Sequence, residues 1–406
     1  MKNAIWSIVI AVLSSSFSYA QDFWQQTNGP TIGYIKSLAA NSAGHIFAAT
    51  GAGVFRTVDN GDSWTSINTG ITRLEITSLA IDSNGHLFAG TDDGGVFAST
   101  DNGDHWTSIG LKNIWVISLA INSLGHIFAG TQSSGVYRSI DNGETWKAVG
   151  LTYYGVMSLA IHSNGHLFAG TNGNGVFRST DNGDGWTPIN TGLTDASIWC
   201  LVIHSGGSLF AGTYDGGVFR SIDNGGLWTP INIGMTTKWV LSLAINSTGH
   251  VFAGTYDDGV FRSTDNGDHW TPINEGLTSS HIWSLAINSG GYLFAGTGGG
   301  GVYRSMQSTT AAREINKQRP FSYALMQNYP NPFGPLTTIR YTLPNTEHVT
   351  LTIYNLSGQT IETLVSEHQG AGNHHARWTR EGYPSGVYFY KLQAGAFSET
   401  KKLTVQ

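Results

Sequence analysis

The sequence is short of cysteine, of charge and of the residue runs that build long helices. Cys200 is the only cysteine in 406 residues, so the chain forms no internal disulfide. Only 12% of the residues are charged, and stretches rich in Ala, Glu, Lys and Leu are scarce. Glycine (53 residues) and tryptophan (13 residues) are abundant instead. This composition predicts an all-β chain with many turns.

Long apolar runs are absent except at the N-terminus. The first 20 residues hold Lys2, an apolar stretch over residues 5–13 and small residues ahead of Gln21. This pattern predicts a secretory signal peptide, residues 1–20, cleaved after Ala20. No later stretch approaches about 18 apolar residues, so we expect no transmembrane segment in the mature protein.

The charge is unevenly distributed along the chain. Residues 21–305 contain 21 acidic and 11 basic side chains, whereas residues 306–406 contain 6 acidic and 9 basic ones. Binding to nucleic acid requires a basic surface that neutralises phosphates. The acidic main body therefore argues against a nucleic-acid partner.

An internal repeat organises the main body. The triplet SLA or its equivalent begins at Ser37, Ser78, Ser118, Ser158, Cys200, Ser242 and Ser284. Each unit contains four short β-rich runs separated by turn residues. Seven units of about 41 residues predict a seven-bladed β-propeller with four-stranded blades over residues 21–305.

The last unit supports closure of the ring. After Ser305 the chain lacks the tryptophan-containing strand of the other units, whereas FWQQTNGP at Phe23 to Pro30 matches SWTSINTG at Ser63 to Gly70. We therefore expect the N-terminal segment to supply the outer strand of blade seven. Such a strand joins the two ends of the ring and offsets the entropy of closing it.

One motif occurs six times with small variations, and it reads STDNGDHW at both Ser99 and Ser263. Two carboxylates beside a glycine and a histidine suggest a metal loop, a catalytic acid pair or a repeated turn. The second acidic position varies and is Gly226 in the fifth copy, which argues against a calcium loop. In a turn, the aspartate accepts backbone N–H bonds, the glycine takes φ > 0 and the tryptophan begins the next strand.

This Ser/Thr-x-Asp-x-Gly-x-x-Trp pattern resembles that of the Asp-box (BNR) propellers, which include sialidases, the sortilin ectodomain, xyloglucanases and photosystem II assembly factors. The resemblance implies that the motif is structural and remote from any active site. Six arginines share one position in GVFRS or its variants, so they do not form a sialidase arginine triad. The aspartates of these turns, called DNG turns below, are Asp59, Asp101, Asp141, Asp181, Asp223 and Asp265.

Function on such a ring is expected where the repeats differ, on the face formed by the connections between blades and the loops between second and third strands. Aromatic residues just before the inner strands, and residues of the second-to-third-strand loops, are the candidate ligand-binding groups. The first set is Tyr34, Trp115, Tyr154, Trp199, Trp239 and Trp283, and the second is Tyr214, Tyr256 and Asp257.

Two interpretations of these aromatics stay open. They stack on sugar rings of a glycan, with carboxylates such as Glu75, Asp92 and Asp93 binding hydroxyls, or they fill gaps between blades. The carboxylates also suit a glycoside hydrolase of the sialidase or xyloglucanase type, but nothing in the sequence fixes their separation. The sequence predicts no metal site, no cofactor and no catalytic residue, and we expect a monomer that binds glycan or protein.

The composition changes after a polar linker, residues 306–322. Alternating runs over residues 323–406 predict a small Ig-like antiparallel β-sandwich. This stretch resembles the type A sorting domain of the type IX secretion system through QNYPNPF (Gln327 to Phe333), IYNLSGQ (Ile353 to Gln359), SGVYFYKL (Ser385 to Leu392) and KKLTV (Lys401 to Val405).

The resemblance implies a route and a destination. It implies Sec export to the periplasm, recognition of residues 323–406 by the outer-membrane type IX machinery, and removal of that module. The expected location is extracellular or at the outer-membrane surface. A scaffold role like that of the photosystem II factors fits such a location poorly.

Overall fold

The computed structural model describes residues 22–31, 33–310, 323–328, 331–370, 372–379 and 381–406. The predicted signal peptide and its cleavage after Ala20 lie outside these residues, as does most of the predicted linker. The chain divides into two compact units on either side of the Ala311–Ala312 bond. No helix in the described part of the chain is long and apolar enough to span a bilayer.

The first unit consists of short strands of two to six residues. In chain order they are β1 (Trp24–Gln26), β2 (Ser37–Ala40), β3 (Ile46–Thr50), β4 (Gly53–Thr57), β5 (Thr65–Ser66), β6 (Ile76–Ile81), β7 (Leu87–Thr91), β8 (Val96–Ser99), β9 (Thr107–Gly110), β10 (Val116–Ile121), β11 (Ile127–Thr131), β12 (Val136–Ser139), β13 (Lys147–Ala148), β14 (Val156–Ile161), β15 (Leu167–Thr171), β16 (Gly175–Ser179), β17 (Thr187–Pro188), β18 (Ile198–Ile203), β19 (Leu209–Thr213), β20 (Val218–Ser221), β21 (Thr229–Pro230), β22 (Val240–Ile245), β23 (Val251–Thr255), β24 (Val260–Ser263), β25 (Thr271–Pro272), β26 (Ile282–Ile287), β27 (Leu293–Thr297) and β28 (Val302–Ser305).

These strands form seven four-stranded antiparallel sheets, which we call blades 1 to 7. Blades 1 to 6 take four consecutive strands each, from β2–β5 to β22–β25. Blade 7 has the order β26-β27-β28-β1, and Trp24 of β1 lies opposite Ser305 of β28. The first strand of each blade, which we call its inner strand, contacts the inner strands of both neighbours, so the blades close into a ring. The inner strands are β2, β6, β10, β14, β18, β22 and β26. The predicted propeller, with its N-terminal strand completing blade seven, is confirmed.

The hydrophobic core lies between the blades. Phe47 and Val54 of blade 1, for example, pack with Leu79 and Phe97 of blade 2. Every residue of the second strand of each blade is buried, which explains the apolar and small residues of VFAGT and its variants. The serine of SLA also links blades, because Ser242 Oγ accepts a 2.9 Å bond from the backbone N–H of Leu285.

The antiparallel order gives the ring two chemically different faces. The turns between first and second strands and the DNG turns between third and outer strands share one face, which we call the turn face. The loops between second and third strands and the connections between blades share the other, which we call the loop face. Since the DNG turns repeat and the loops vary, ligand recognition is expected on the loop face.

The second unit is a two-sheet sandwich. Its strands are β29 (Ala324–Leu325), β30 (Leu336–Leu343), β31 (Glu347–Tyr354), β32 (Thr360–Gln369), β33 (Gly372–Thr379), β34 (Gly386–Ala394) and β35 (Phe397–Val405). One sheet has the order β29-β30-β33 and the other β32-β31-β34-β35. Ile339 and Tyr341 of the first sheet share a core with Leu351 and Tyr390 of the second. The predicted sandwich is confirmed.

The QNYPNPF motif ties the start of this unit to its last strand. The backbone N–H of Phe333 donates to the carbonyl of Thr404, and that of Gln406 donates to the carbonyl of Phe333. The hydroxyl of Tyr390 donates to the carbonyl of Met326 at 2.7 Å, and burial raises the pKa of Tyr390 to about 12. The motif therefore holds the terminal KKLTV strand in place.

Candidate binding face

The loop face is organised by one repeated backbone contact. In each blade from 2 to 7, the residue after the second strand donates its N–H to the carbonyl of the residue before the inner strand. Tyr256 donates in this way to Trp239, and Gln132 donates to Trp115, both at 3.0 Å. Where both positions carry side chains, these side chains therefore emerge next to each other on the loop face.

Four rings from three blades form a continuous cluster on this face. Tyr214 of blade 5 contacts Trp239 of blade 6, with ring centroids 4.5 Å apart. Trp239 stacks on Tyr256 at 3.9 Å, and Tyr256 stacks on His281 of blade 7 at 4.6 Å. We call these four residues the aromatic stack. His281 was not among the candidates from the sequence, although it lies 42 residues after Trp239 and so has the same position in the repeat.

The geometry of the aromatic stack limits what it can bind. Tyr256 has Trp239 stacked on one side and His281 on the other, with interplanar angles of 17° and 16°. A sugar ring stacks only on a free aromatic face, so Tyr256 offers none and Trp239 has at least one face covered. Tyr214, at the end of the stack, is 48% exposed and is the member available to a ligand.

Trp199 and Trp283 lie within the inner strands of blades 5 and 7. The prediction that they precede these strands is wrong. Each follows the first residue of an inner strand, Ile198 or Ile282, and falls where the pairing with the second strand shifts by one residue. A β-bulge adds one residue to the strand and redirects its side chain, which is why simple strand counting misplaces both tryptophans. Trp283 makes an edge contact with Tyr34 at 5.1 Å.

The remaining aromatic candidates are separate from the stack. Tyr154 stacks on Phe177 at 5.6 Å and is only partly exposed, which favours a packing role. Trp115 is 46% exposed, and Tyr34 is 52% exposed. Tyr34, Trp115 and Tyr214 are thus the predicted aromatics that the fold leaves open to solvent.

Several carboxylates of the loop face hold loops in shape. Asp257 accepts a 2.6 Å hydrogen bond from the hydroxyl of Thr237, and Asp258 accepts one from Thr236. Asp195, which was not among the candidates from the sequence, accepts hydrogen bonds from the backbone N–H groups of Asp215 and Gly216. In blades 5 and 6, these bonds hold the second-to-third-strand loop against the preceding inter-blade connection.

A charged cluster lies on blades 1 and 2 of the same face. Lys36 pairs with Glu75, and Arg73 pairs with Asp93. Burial raises the pKa of Asp92, and the negative charges of Asp93 and Glu75 raise it further. Asp92 therefore retains its proton more readily than an ordinary aspartic acid does.

The DNG turns have the geometry of self-contained turns. Asp141 Oδ1 accepts bonds from the N–H of Thr145 at 2.9 Å and from the hydroxyl of Ser139 at 2.7 Å. Hydrogen bonds from Thr145, followed by that from Ser139, lower the pKa of Asp141 to about 2. The middle Asn142 has φ 55° and Gly143 has φ 93°, so two consecutive residues are left-handed.

Among the described residues, no group of three or more His, Cys, Asp or Glu side chains is placed to hold a metal ion.

Cys200 lies on the inner strand of blade 5. Its sulfur packs against the backbone of Gly212 and lies 4.0 Å from the carbonyl of Val240 in blade 6. Burial raises the pKa of this thiol to about 12, which makes it a poor nucleophile. Cys200 replaces the serine of SLA as a packing residue.

Two families match parts of the chain. The DUF6242 β-propeller domain matches residues 16–153, and the secretion system C-terminal sorting domain matches residues 327–406. The chain is accordingly a propeller protein that carries a type IX secretion sorting domain, which directs it to the cell surface or the extracellular space. Among curated proteins, none matches.

Three solved structures with a similar fold are distant from this chain in sequence. PorZ, a surface component of the type IX secretion system of Porphyromonas gingivalis, is 17% identical with a TM-score of 0.56, covering 96% of this chain and 60% of its own. YCF48 bound to a D1 peptide is 18% identical with a TM-score of 0.60, covering 72% and 98%. The GH74 xyloglucanase of Xanthomonas campestris is 16% identical with a TM-score of 0.56, covering 78% and 59%. The chain thus spans about three fifths of PorZ and of the xyloglucanase, and these likenesses concern the fold alone.

Proposed function

We propose that this protein is a monomeric, exported propeller of the Asp-box type that binds a glycan or a protein through its loop face. The observation that carries the proposal is the exposure of Tyr34, Trp115 and Tyr214 on that face of a protein with a secretion sorting domain. Exposed aromatic rings on a rigid scaffold bind sugar rings or apolar side chains at little entropic cost. The six DNG turns with matching hydrogen bonds support the Asp-box assignment.

Binding is tested with the exported chain, residues 21–406, on a glycan array and against the surface proteins of the producing cell. Trp115→Ala and Tyr214→Ala should each weaken binding at least about tenfold, as for residues at the centre of an interface. Ile140→Ala is the matched control, because Ile140 is also an exposed apolar residue (64%) but belongs to the DNG turn of blade 3. Binding that is unchanged in both loop-face variants would contradict the proposal.

A glycoside hydrolase is the second candidate, and the charged cluster of blades 1 and 2 favours it. The pKa of Asp92 is shifted in the direction that a general acid requires, and Asp93 and Glu75 are carboxylates beside it. A panel of polysaccharides and sialosides should then reveal hydrolysis that Asp92→Asn abolishes. Absence of hydrolysis across the panel removes this candidate and leaves binding.

The export route forms part of the proposal. We infer that the chain crosses the inner membrane by the Sec pathway with removal of residues 1–20, and that the type IX machinery recognises residues 323–406 in the periplasm. Deletion of residues 323–406 should leave the propeller in the periplasm, as measured by cell fractionation. Normal surface delivery of the deleted chain would refute the recognition step.

A further inference from the structure

Equivalent arginines on the turn face form a series of ion pairs between neighbouring blades. In four blades, the arginine of the third strand pairs with the second acidic residue of the next DNG turn. The pairs are Arg56 with Asp104 (2.9 Å), Arg138 with Asp184 (3.3 Å), Arg220 with Asp268 (3.1 Å) and Arg304 with Asp62 (3.5 Å). Each pair joins one blade to its neighbour.

Arg178 of blade 4 has lost this partner. The next DNG turn, in blade 5, carries Gly226 at the position of the acidic residue. Arg178 keeps the backbone part of the contact, because its Nη1 donates to the carbonyl of Asn224 at 3.1 Å. In Arg138 and Arg220, Nη2 reaches the carboxylate, but no carboxylate of a described residue lies within ion-pairing distance of Arg178.

A histidine and exposed apolar side chains lie around Arg178. His166 of blade 4 lies near Arg178, and burial, followed by the charge of Arg178, lowers the pKa of His166. In the blade 5 turn, Leu227 is 52% exposed and Ile222 is 77% exposed. In four of the other five turns, this position is held by a residue whose side chain bonds to the turn aspartate, as Thr145 does.

We propose that Arg178 and the neighbouring DNG turn of blade 5 form a second binding site, on the turn face, for a carboxylate of an acidic peptide segment. The carboxylate takes the place that Asp268 has beside Arg220, where an arginine–carboxylate pair forms a charge-assisted hydrogen bond. The exposed Ile222 and Leu227 contact an apolar residue next to it in the peptide. The site is separate from the loop face and from the function proposed for it.

Asp223, the aspartate of the blade 5 DNG turn, does not prevent binding of an anion. Its Oδ1 accepts bonds from the hydroxyl of Ser221 and the N–H of Leu227, which neutralise part of its charge. Blade 6 shows the same combination, since Asp265 and Asp268 occupy one turn while Asp268 pairs with Arg220. A ligand carboxylate beside Asp223 would reproduce that arrangement.

The test uses the exported chain, residues 21–406, and the peptide acetyl-Leu-Asp-Leu-amide, with acetyl-Leu-Asn-Leu-amide as the uncharged probe. Binding is followed by NMR of the arginine side-chain N–H groups. The aspartyl peptide should bind and shift the Arg178 signal, whereas the asparaginyl peptide should bind at least about tenfold more weakly, the ratio expected for loss of a charge-assisted hydrogen bond.

The repeats supply matched variants for this test. Gly226→Asp introduces the carboxylate found in other blades and should abolish peptide binding without loss of folding. Arg178→Gln should also abolish it, whereas Asp268→Gly removes the partner of Arg220 and should create a second site, seen as a shift of the Arg220 signal. Equal binding of the two peptides, or undiminished binding by the Gly226→Asp variant, would overturn the proposal.

Discussion

The indole Nε1 of Trp24 donates a 2.5 Å hydrogen bond to the carbonyl of Ile273, a residue 249 positions away. The same bond recurs in blades 2 to 6, where the tryptophan of the DNG turn donates to a carbonyl at the end of the outer strand of the preceding blade, as Trp106 does to Ile67. Trp24 is therefore the tryptophan of blade 7, supplied by the opposite end of the chain. This bond joins the N-terminal strand to blade 6 and so stabilises the closed ring.

Replacement of Trp24 tests this closure. Trp24→Phe removes a buried donor and leaves the Ile273 carbonyl without it, so the free energy of unfolding should fall by about 1–3 kcal/mol. Trp64→Phe is the matched control, since the Nε1 of Trp64 is buried without a partner and phenylalanine loses no hydrogen bond there. Urea unfolding monitored by circular dichroism measures both, and equal losses would show that the Trp24 bond contributes nothing.

The repeat made the fold predictable, because the spacing of SLA and the position of Trp24 follow directly from strand length and blade number. The binding face was less predictable. Trp199 and Trp283 were misplaced because a β-bulge changes which way a residue points without any mark in the sequence. The covering of Tyr256 by Trp239 and His281 depends on contacts between blades, which periodicity does not encode.

The backbone of the DNG turn gives a second prediction. Asn142 has φ 55°, a conformation that costs a β-branched residue roughly 1–2 kcal/mol. Asn142→Val should therefore destabilise the protein by about that amount, whereas Asn142→Gly should change stability by less than about 0.5 kcal/mol.

Asn102 provides the contrast for this experiment. Its side-chain carbonyl accepts a 3.2 Å bond from Asn41 of blade 1 in addition to its left-handed φ of 57°. Asn102→Gly should cost more than Asn142→Gly in the same unfolding assay. If valine is tolerated at position 142, the turn does not require a left-handed residue there.

The end of the propeller provides a third prediction. The predicted boundary at 305 leaves out a segment that replaces the missing DNG turn of blade 7. Asn246 donates to the carbonyl of Thr309 at 2.9 Å, in the way that Asn122 donates to Asn182 of the next blade, and Thr309 donates to Gly291. We therefore place the end of the propeller after Thr310.

Two truncated chains test this boundary. Residues 21–310 should melt several degrees above residues 21–305, because about 1 kcal/mol per lost hydrogen bond corresponds to a few degrees in a protein of this size. Differential scanning calorimetry compares the two. Identical melting temperatures would return the boundary to Ser305.

The DNG aspartates give the protein a defined sensitivity to acid. Hydrogen bonds lower the pKa of Asp59, Asp101 and Asp141 from 3.8 to about 2 in the folded state. A group with a lower pKa in the folded state stabilises the fold above its unfolded pKa, and that contribution is lost as the pH falls through the folded pKa.

The melting temperature should thus decline between about pH 4 and pH 2, where these carboxylates take up protons. Asp141→Asn should reduce the slope of melting temperature against pH over this interval. The opposite result, a steeper slope in Asp141→Asn, would mean that the turn does not stabilise the ionised form.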